Sequence, residues 1–161
     1  DTWALADIIA PAIILGQALG RMANLLNGDA FGAPTGGAFG IIYPATTLAY
    51  HTYGNQPLWP AEIWEGQLDV VIFALLLIFR TSRHAKGQAF LLYVMLYSAA
   101  RFFLEYLRGD YTDLIWGIFK SAQMTSLFAF TSSLIIFVYL SWQQYQSPAN
   151  IDKRAGKKGK K

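Results

Sequence analysis

Two groups of side chains in this 161-residue chain have the types and spacing to hold an anion. The first is the string Gly20-Arg21-Met22-Ala23-Asn24-Leu25-Leu26-Asn27-Gly28-Asp29, in which Arg21 stands where an apolar run stops. A guanidinium presents its donors in a rigid fork suited to phosphate, and each carboxamide supplies both a donor and an acceptor. The second group is Tyr97, Arg101, Glu105 and Arg108, whose spacing puts them on one face of a helix. Ionisable groups in the hydrocarbon zone cost about 2.5 to 3.5 kcal/mol each on insertion scales, so they turn inward, pair and mark functional paths. Glu105 can pair with either arginine and hold its fork in place. The chemistry these residues suit is fixation of a phosphate, and at a bilayer boundary the anion at hand is a phospholipid headgroup. The plainer readings are that the stripe staples helices together, or that its charged ends snorkel to an interface beside an anchoring Arg21.

The elements that must position these residues are read from hydropathy and punctuation. They predict an all-α, polytopic membrane protein of about four transmembrane helices, near 5–26, 62–80, 88–108 and 121–142, with a long outer-side loop after the first. Ser121 to Trp142 carries no charge and exceeds the roughly 18 residues that make a spanning candidate. Ile63 to Phe79 ends in an almost unbroken apolar run, and Gln88 to Leu107 is apolar except for Arg101 and Glu105. Ile8 to Leu19 is long enough only if its helix continues past Arg21 to about Leu26. Residues 28–60 are rich in Gly, Pro, Thr and Tyr, which suits turns and irregular backbone better than helix. The expected division is a membrane domain over 1–142 and a basic cytoplasmic tail over 143–161. Arg80, Arg83, Lys86 and that tail belong on the cytoplasmic side, which puts residues 28–60, the turn near 109–120 and the Arg21 string outside.

Composition narrows the function classes. The chain is 54% hydrophobic and 14% charged, against roughly 25% charged in soluble domains. A soluble helical bundle of this size is the plain alternative, and it predicts recovery in aqueous buffer without detergent. Cysteine is absent, so any thiol chemistry must use a thiol brought by the substrate. The net charge of +3 comes from the tail, with Lys153, Arg154, Lys157, Lys158, Lys160 and Lys161, while the remainder is net negative. That tail has no aromatic or groove-reading context, so no nucleic-acid partner is expected. His51 and His84 fall in predicted loops on opposite sides of the membrane, and no metal or other cofactor is expected. Glu62, Glu65 and Asp69 share a helical face near an outer helix start, where they suit the positive end of the dipole. Trp59, Trp64, Tyr93, Trp116 and Trp142 fall mainly near predicted helix ends, as an aromatic belt would. No methionine opens the chain, which reads as a fragment or as a chain processed at its beginning.

These residues resemble the bacterial phosphatidylglycerol:prolipoprotein diacylglyceryl transferase family. The family signature is similar to Gly20-Arg21, Asn24, Asn27-Gly28-Asp29, Phe31-Gly32 and Pro34-Thr35. Further along, Gly40-Ile41, Tyr43-Pro44, the Pro60 to Glu65 segment, Tyr97-x-x-x-Arg101-Phe102-x-x-Glu105-x-x-Arg108 and Gln123-x-x-Ser126 follow in the family's order. The family usually has Glu where Asp29 stands and often Arg where Ala33 stands, and many members have His and Tyr where Trp59 and Trp64 stand. It has about seven transmembrane helices, so this chain looks like the C-terminal portion, without the first three and their histidine-glycine motif.

The resemblance implies a multi-pass protein of the bacterial inner membrane. It also implies transfer of a diacylglyceryl group from phosphatidylglycerol to the cysteine thiol of a prolipoprotein signal peptide, with release of glycerol phosphate. It implies phosphatidylglycerol-binding roles for Arg21, Asn24, Asn27, Asp29 and Gly32, and catalytic roles for Arg101, Tyr97 and Glu105. Arg21 would hold the lipid phosphate, Asn24 would orient the headgroup, Arg101 would be a second clamp and Glu105 would support it. The general base is not evident in the chain. Two other readings stay open: a non-catalytic fragment or subunit that binds anionic phospholipid or a partner helical protein, and, ranked last, a piece of a polar-lined transporter.

Overall fold

A computed structural model describes residues 1–82, 84–110, 114–115 and 118–147. Arg83, Trp116 and the basic tail from residue 148 onward lie outside the described residues. The chain is an all-α membrane protein. Its helices are α1 (Thr2–Asn27), α2 (Leu48–Tyr53), α3 (Ala61–Arg80), α4 (Gln88–Leu104) and α5 (Ser121–Gln146). Three of them are long and apolar enough to cross a membrane by length and composition, namely α1, α4 with the 3₁₀ turn Glu105–Leu107 that continues it, and α5. The fourth long helix, α3, carries Glu62, Glu65, Asp69 and Arg80 and packs against both α1 and α4. The strands β1 (Leu114–Ile115) and β2 (Phe119–Lys120) form a two-residue antiparallel ribbon that leads into α5.

Alpha-helix α1 opens on Asp1, whose carboxylate accepts from the Trp3 and Ala4 amides at 3.2 and 3.4 Å, and closes on Gly28 at φ 71°. Only glycine takes that left-handed conformation without cost, and its N–H returns to the Asn24 carbonyl. Ala10 and Ile14 of α1, Ile72 and Leu76 of α3, and Tyr93 of α4 form the core between these three helices. Tyr93 is therefore a core residue, donating to the Gln17 side chain at 3.1 Å, and not the interfacial anchor its place in the sequence suggests. Helix α5 packs on α4 along one edge and is otherwise exposed, as a helix facing lipid would be.

At the end of the bundle away from Arg21, Asp7 ties α1 to α4. Its carboxylate accepts from the Gly87 amide at 2.6 Å and the Phe90 amide at 2.9 Å, so a residue of one helix caps the N-terminus of another. Gly87 has φ 92° and lies against the Trp3 ring, where a Cβ would not fit. Losing an N-cap acceptor costs about 0.5 to 2 kcal/mol. Asp7→Ala is therefore expected to lower the thermal midpoint in detergent, while Asp7→Asn, which keeps an acceptor oxygen, stays closer to the parent.

Residues 28–60 are more ordered than their composition suggests. They fold into a small cap with its own core of Phe31, Tyr43, Ala49 and Leu58. The cap contains the short helix α2, which the sequence reading does not expect; Thr47 opens it by accepting from the Tyr50 amide, and Gly54 closes it. Bridges pair Pro34 and Ile41 with Leu58, and Gly32 with Arg108. The cap is thereby fastened to the end of α4, with a further bond from the Tyr53 hydroxyl to the Gly109 carbonyl at 2.8 Å.

Candidate functional site

Where α4 meets the cap, the backbone changes course and gathers the charged side chains. The helix stops at Leu104, the 3₁₀ turn covers Glu105–Leu107, and Arg108 is extended with ψ 133°. The stripe expected from a helix through residue 108 is therefore broken at its last member. Arg108 leaves the α4 face, pairs its backbone with Gly32 and forms an ion pair with Asp110. Gly32 is required here by space, since a Cβ would collide with the Trp59 carbonyl.

Glu65 on α3 is the centre of the cluster. One of its oxygens meets the Arg21 Nη2 at 2.5 Å, and the other meets the Arg101 Nη1 at 3.3 Å and the Arg108 Nη1 at 3.6 Å. Arg101 also meets Glu105, one turn along α4, at 3.0 Å. The two arginines from the separate motifs thus converge on one carboxylate. The helix-dipole role expected for Glu65 is overturned by this geometry, because its side chain is only 2% exposed and faces three guanidiniums. Its neighbours on α3 behave differently. Glu62 accepts from the Tyr43 hydroxyl of the cap, and Asp69 is fully buried with no hydrogen-bond partner for either oxygen among the described residues.

The remaining residues divide into those at the cluster and those beside it. The Tyr97 hydroxyl accepts from the Arg21 Nη2 at 3.5 Å, and its ring stacks on Tyr93 with centroids 6.0 Å apart. Asn24, one turn beyond Arg21, is half-buried, and its backbone carbonyl accepts from the Gly28 and Asp29 amides. Asn27 is exposed at the end of α1 and Asp29 is half-buried; among the described residues, neither side chain is bonded to the cluster. Only Nη2 of Arg21 is engaged among the described residues, so Nε and Nη1 stay open to a ligand. Tyr97 and Arg101 line an open cleft of about 410 Å³ between α4 and α5, with Ser98, Ser121 and Thr125 among its polar walls. It adjoins an apolar cleft of about 270 Å³ that includes Phe102, Phe103, Leu127 and Phe130, the two sharing Ser98 and Ser126.

Lys120, at the start of α5, is the cation that the sequence reading passes over. Its Nζ donates to the Arg108 carbonyl at 2.7 Å and the Glu105 carbonyl at 3.0 Å, with a Glu105 carboxylate oxygen at 4.0 Å. Gln123 completes the join, accepting from the Lys120 amide at 3.0 Å. Burial pushes the Lys120 ammonium below its ordinary range, an effect partly offset by the Glu105 and Asp110 carboxylates. Burial works against the Arg108 charge too, but the Asp110 carboxylate it donates to, with Glu65 and Glu105, holds it above its ordinary value. Leaving buried carbonyls without their donor costs about 1 to 3 kcal/mol. Lys120→Met is thus expected to lower the unfolding midpoint in detergent, and Lys120→Arg to recover part of the loss. The signal for Lys120 was weak because a lone lysine before an apolar helix reads as an interfacial anchor.

A phosphate-sized anion suits this place: open arginine donors, a tyrosine hydroxyl and a cleft that turns apolar away from them. The sequence model of the prolipoprotein diacylglyceryl transferase family matches residues 1–139. The chain belongs to the prolipoprotein diacylglyceryl transferase family. The phosphatidylglycerol–prolipoprotein diacylglyceryl transferase of Listeria welshimeri is 35% identical over 161 residues, covering 99% of this chain and 57% of the relative. The protein of the same name from Listeria monocytogenes serotype 4a is 37% identical over 139 residues, 85% of this chain and 50% of the relative. That from Thermosynechococcus vestitus is 38% identical over 129 residues, 79% of this chain and 47% of the relative. The chain spans about half the length of the diacylglyceryl transferases it matches. Both arginine motifs lie within the matched residues.

Proposed function

We propose that the chain holds the phosphate of phosphatidylglycerol during transfer of its diacylglyceryl group to the cysteine thiol of a prolipoprotein signal peptide. The observation that carries this reading is the convergence of Arg21, Arg101 and Arg108 on Glu65 beside Tyr97 and the α4/α5 cleft. In the reaction an S–C bond forms at the glyceryl carbon as its C–O bond to phosphate breaks. The thiol proton is lost to a base, and glycerol phosphate departs with the bonding pair. Negative charge grows on the leaving phosphate, and donors already fixed in a site shielded from water stabilise it without reorganisation. Arg21 and Arg101 serve as those donors, Glu65 and Glu105 fix their forks, and Tyr97 positions Arg21. Asn24 orients the headgroup, Gly32 lets two segments of the cap close on each other at Trp59 beside Arg108, and Asn27 and Asp29 contribute at the rim. The acyl chains lie along the apolar part of the α4/α5 cleft.

The same reading places the arginine end of the bundle at the outer leaflet of the bacterial inner membrane and the basic tail, residues 143–161, in the cytoplasm. Support comes from Arg80 and Lys86 at the opposite end of the helices, where cytoplasmic loops carry their positive charge. A second reading, lipid binding without turnover, is favoured by one observation. Among the described residues, the three carboxylates that meet the arginines, Glu65, Glu105 and Asp110, are each paired with a guanidinium, so none of these three is free to take the thiol proton.

One experiment separates the two. The chain is placed in phosphatidylglycerol vesicles with a signal peptide bearing a single cysteine, and the peptide is weighed by mass spectrometry. A peptide heavier by one diacylglyceryl group, with its thiol blocked, is the expected product. Preferential binding of phosphatidylglycerol over phosphatidylcholine with no thioether supports the second reading, and no preference with no thioether overturns both.

A further inference from the structure

The cap presents an aromatic cluster that the phosphate site does not use. Phe39 packs against Trp59 with centroids 5.7 Å apart and stacks on Trp64 at 6.5 Å, and the two tryptophans are themselves 5.7 Å apart. Phe39 remains 59% exposed at the head of this cluster, and Ile42 and Leu48 of the cap are also exposed. Soluble surfaces do not usually gather large apolar side chains in this way without a partner.

Three observations identify the partner as a lipid surface. Residues 28–60 contain one charged side chain, Asp29, and no lysine or arginine. Trp64 stands in the first turn of α3, a helix packed between two segments that can cross a membrane, so the cluster sits at the cap end of the bundle, where an interface would lie. Below it, Trp64, Gln67, Leu68, Val71 and Leu104 line an open groove along the outside of α3. Tryptophan and its aromatic neighbours favour this depth, where an apolar ring and a polar edge are both accommodated.

We propose that Phe39, Trp59 and Trp64 form an interfacial anchor that seats the cap in the lipid headgroup region and fixes its depth. The anchor is joined to the arginine cluster through backbone. The Trp59 amide donates to the Ala33 carbonyl at 2.9 Å, Gly32 lies against the Trp59 carbonyl, and Gly32 pairs with Arg108. Seating the tryptophans therefore sets where Arg108 and its partner Glu65 stand relative to the headgroups. This holds whether or not the chain turns lipid over.

The chain has no cysteine, so one introduced thiol can carry a unique environment-sensitive fluorophore. Phe39→Cys reports the tip directly. Gly37→Cys, at a position with nothing within 4 Å of its added Cβ, reports it with the cluster intact. Asn55→Cys, on an exposed polar turn of the cap, gives the comparison. In vesicles of phosphatidylglycerol and phosphatidylcholine, labels at 37 and 39 are expected to be quenched by a nitroxide near the lipid headgroup. Iodide in the water should quench them severalfold less than it quenches position 55. Adding Trp64→Ala to Gly37→Cys should raise iodide quenching severalfold, which ties the depth to the cluster. Iodide quenching at 37 equal to that at 55, or no effect of the lipid nitroxide at 37, overturns the proposal.

Discussion

Glu65→Ala is expected to be the most damaging single substitution in the bundle. Its carboxylate is the common partner of Arg21, Arg101 and Arg108, and removing it leaves Arg21 with no carboxylate partner among the described residues while Arg101 and Arg108 keep only Glu105 and Asp110. Breaking a buried pair by deleting one partner costs about 3 to 5 kcal/mol, because an uncompensated charge stays behind. Whole domains are commonly stable by only about 5 to 15 kcal/mol. The variant should therefore unfold well below the parent in neutral detergent, or fail to accumulate. Glu65→Gln is the more informative change. It keeps the shape and one acceptor oxygen but removes the charge that balances the cluster, so the folded protein survives at a lower midpoint. A bound phosphate would then replace the missing anion, and phosphatidylglycerol should raise the midpoint of Glu65→Gln more than that of the parent. A Gln variant as stable as the parent and indifferent to the lipid would refute the central role assigned to Glu65.

How far these features were legible in the sequence depends on how local their causes are. Helix α5 could be read directly, because an uncharged run of that length has few alternatives to a spanning helix. The end of α4 could not. Tyr97, Arg101, Glu105 and Arg108 keep helical spacing, and no glycine precedes Gly109 to signal a stop. What turns the chain is contact with the cap: the Ala33 amide donates to the Leu107 carbonyl at 2.8 Å, and Gly109 lies against the backbone of Gly32 and Ala33. Glu65 was misjudged for the same reason. Its periodicity marked a polar face, but a helix dipole was a sufficient local explanation, and one of its partners, Arg101, lies 36 residues further on. The first arginine motif was legible because its residue types are unusual at a membrane edge whatever they contact.

Arg21→Ala should separate ligand binding from folding. Arg21 reaches Glu65 because α1 lies close on α3 at Gly66, where an added Cβ would stand 3.2 Å from the Arg21 Cβ and 3.6 Å from the Ala18 carbonyl. When Arg21 is removed, Glu65 keeps Arg101 and Arg108, so the carboxylate is still paired and the midpoint should fall far less than for Glu65→Ala. The ligand loses more. Hydrogen bonds to a charged group contribute about 1.5 to 3 kcal/mol, or roughly ten- to a hundredfold in affinity. Phosphatidylglycerol binding by Arg21→Ala in detergent should weaken by that factor, and the diacylglyceryl transfer proposed above should fall with it. Arg21→Lys preserves the charge but not the fork, since an ammonium cannot hold Glu65 with one edge and offer a second pair of donors to phosphate with another. It should keep the parent's stability while recovering only part of the binding. Equal affinity of Arg21→Ala and the parent would remove Arg21 from the phosphate site, and full recovery by lysine would reduce its part to that of a simple positive charge.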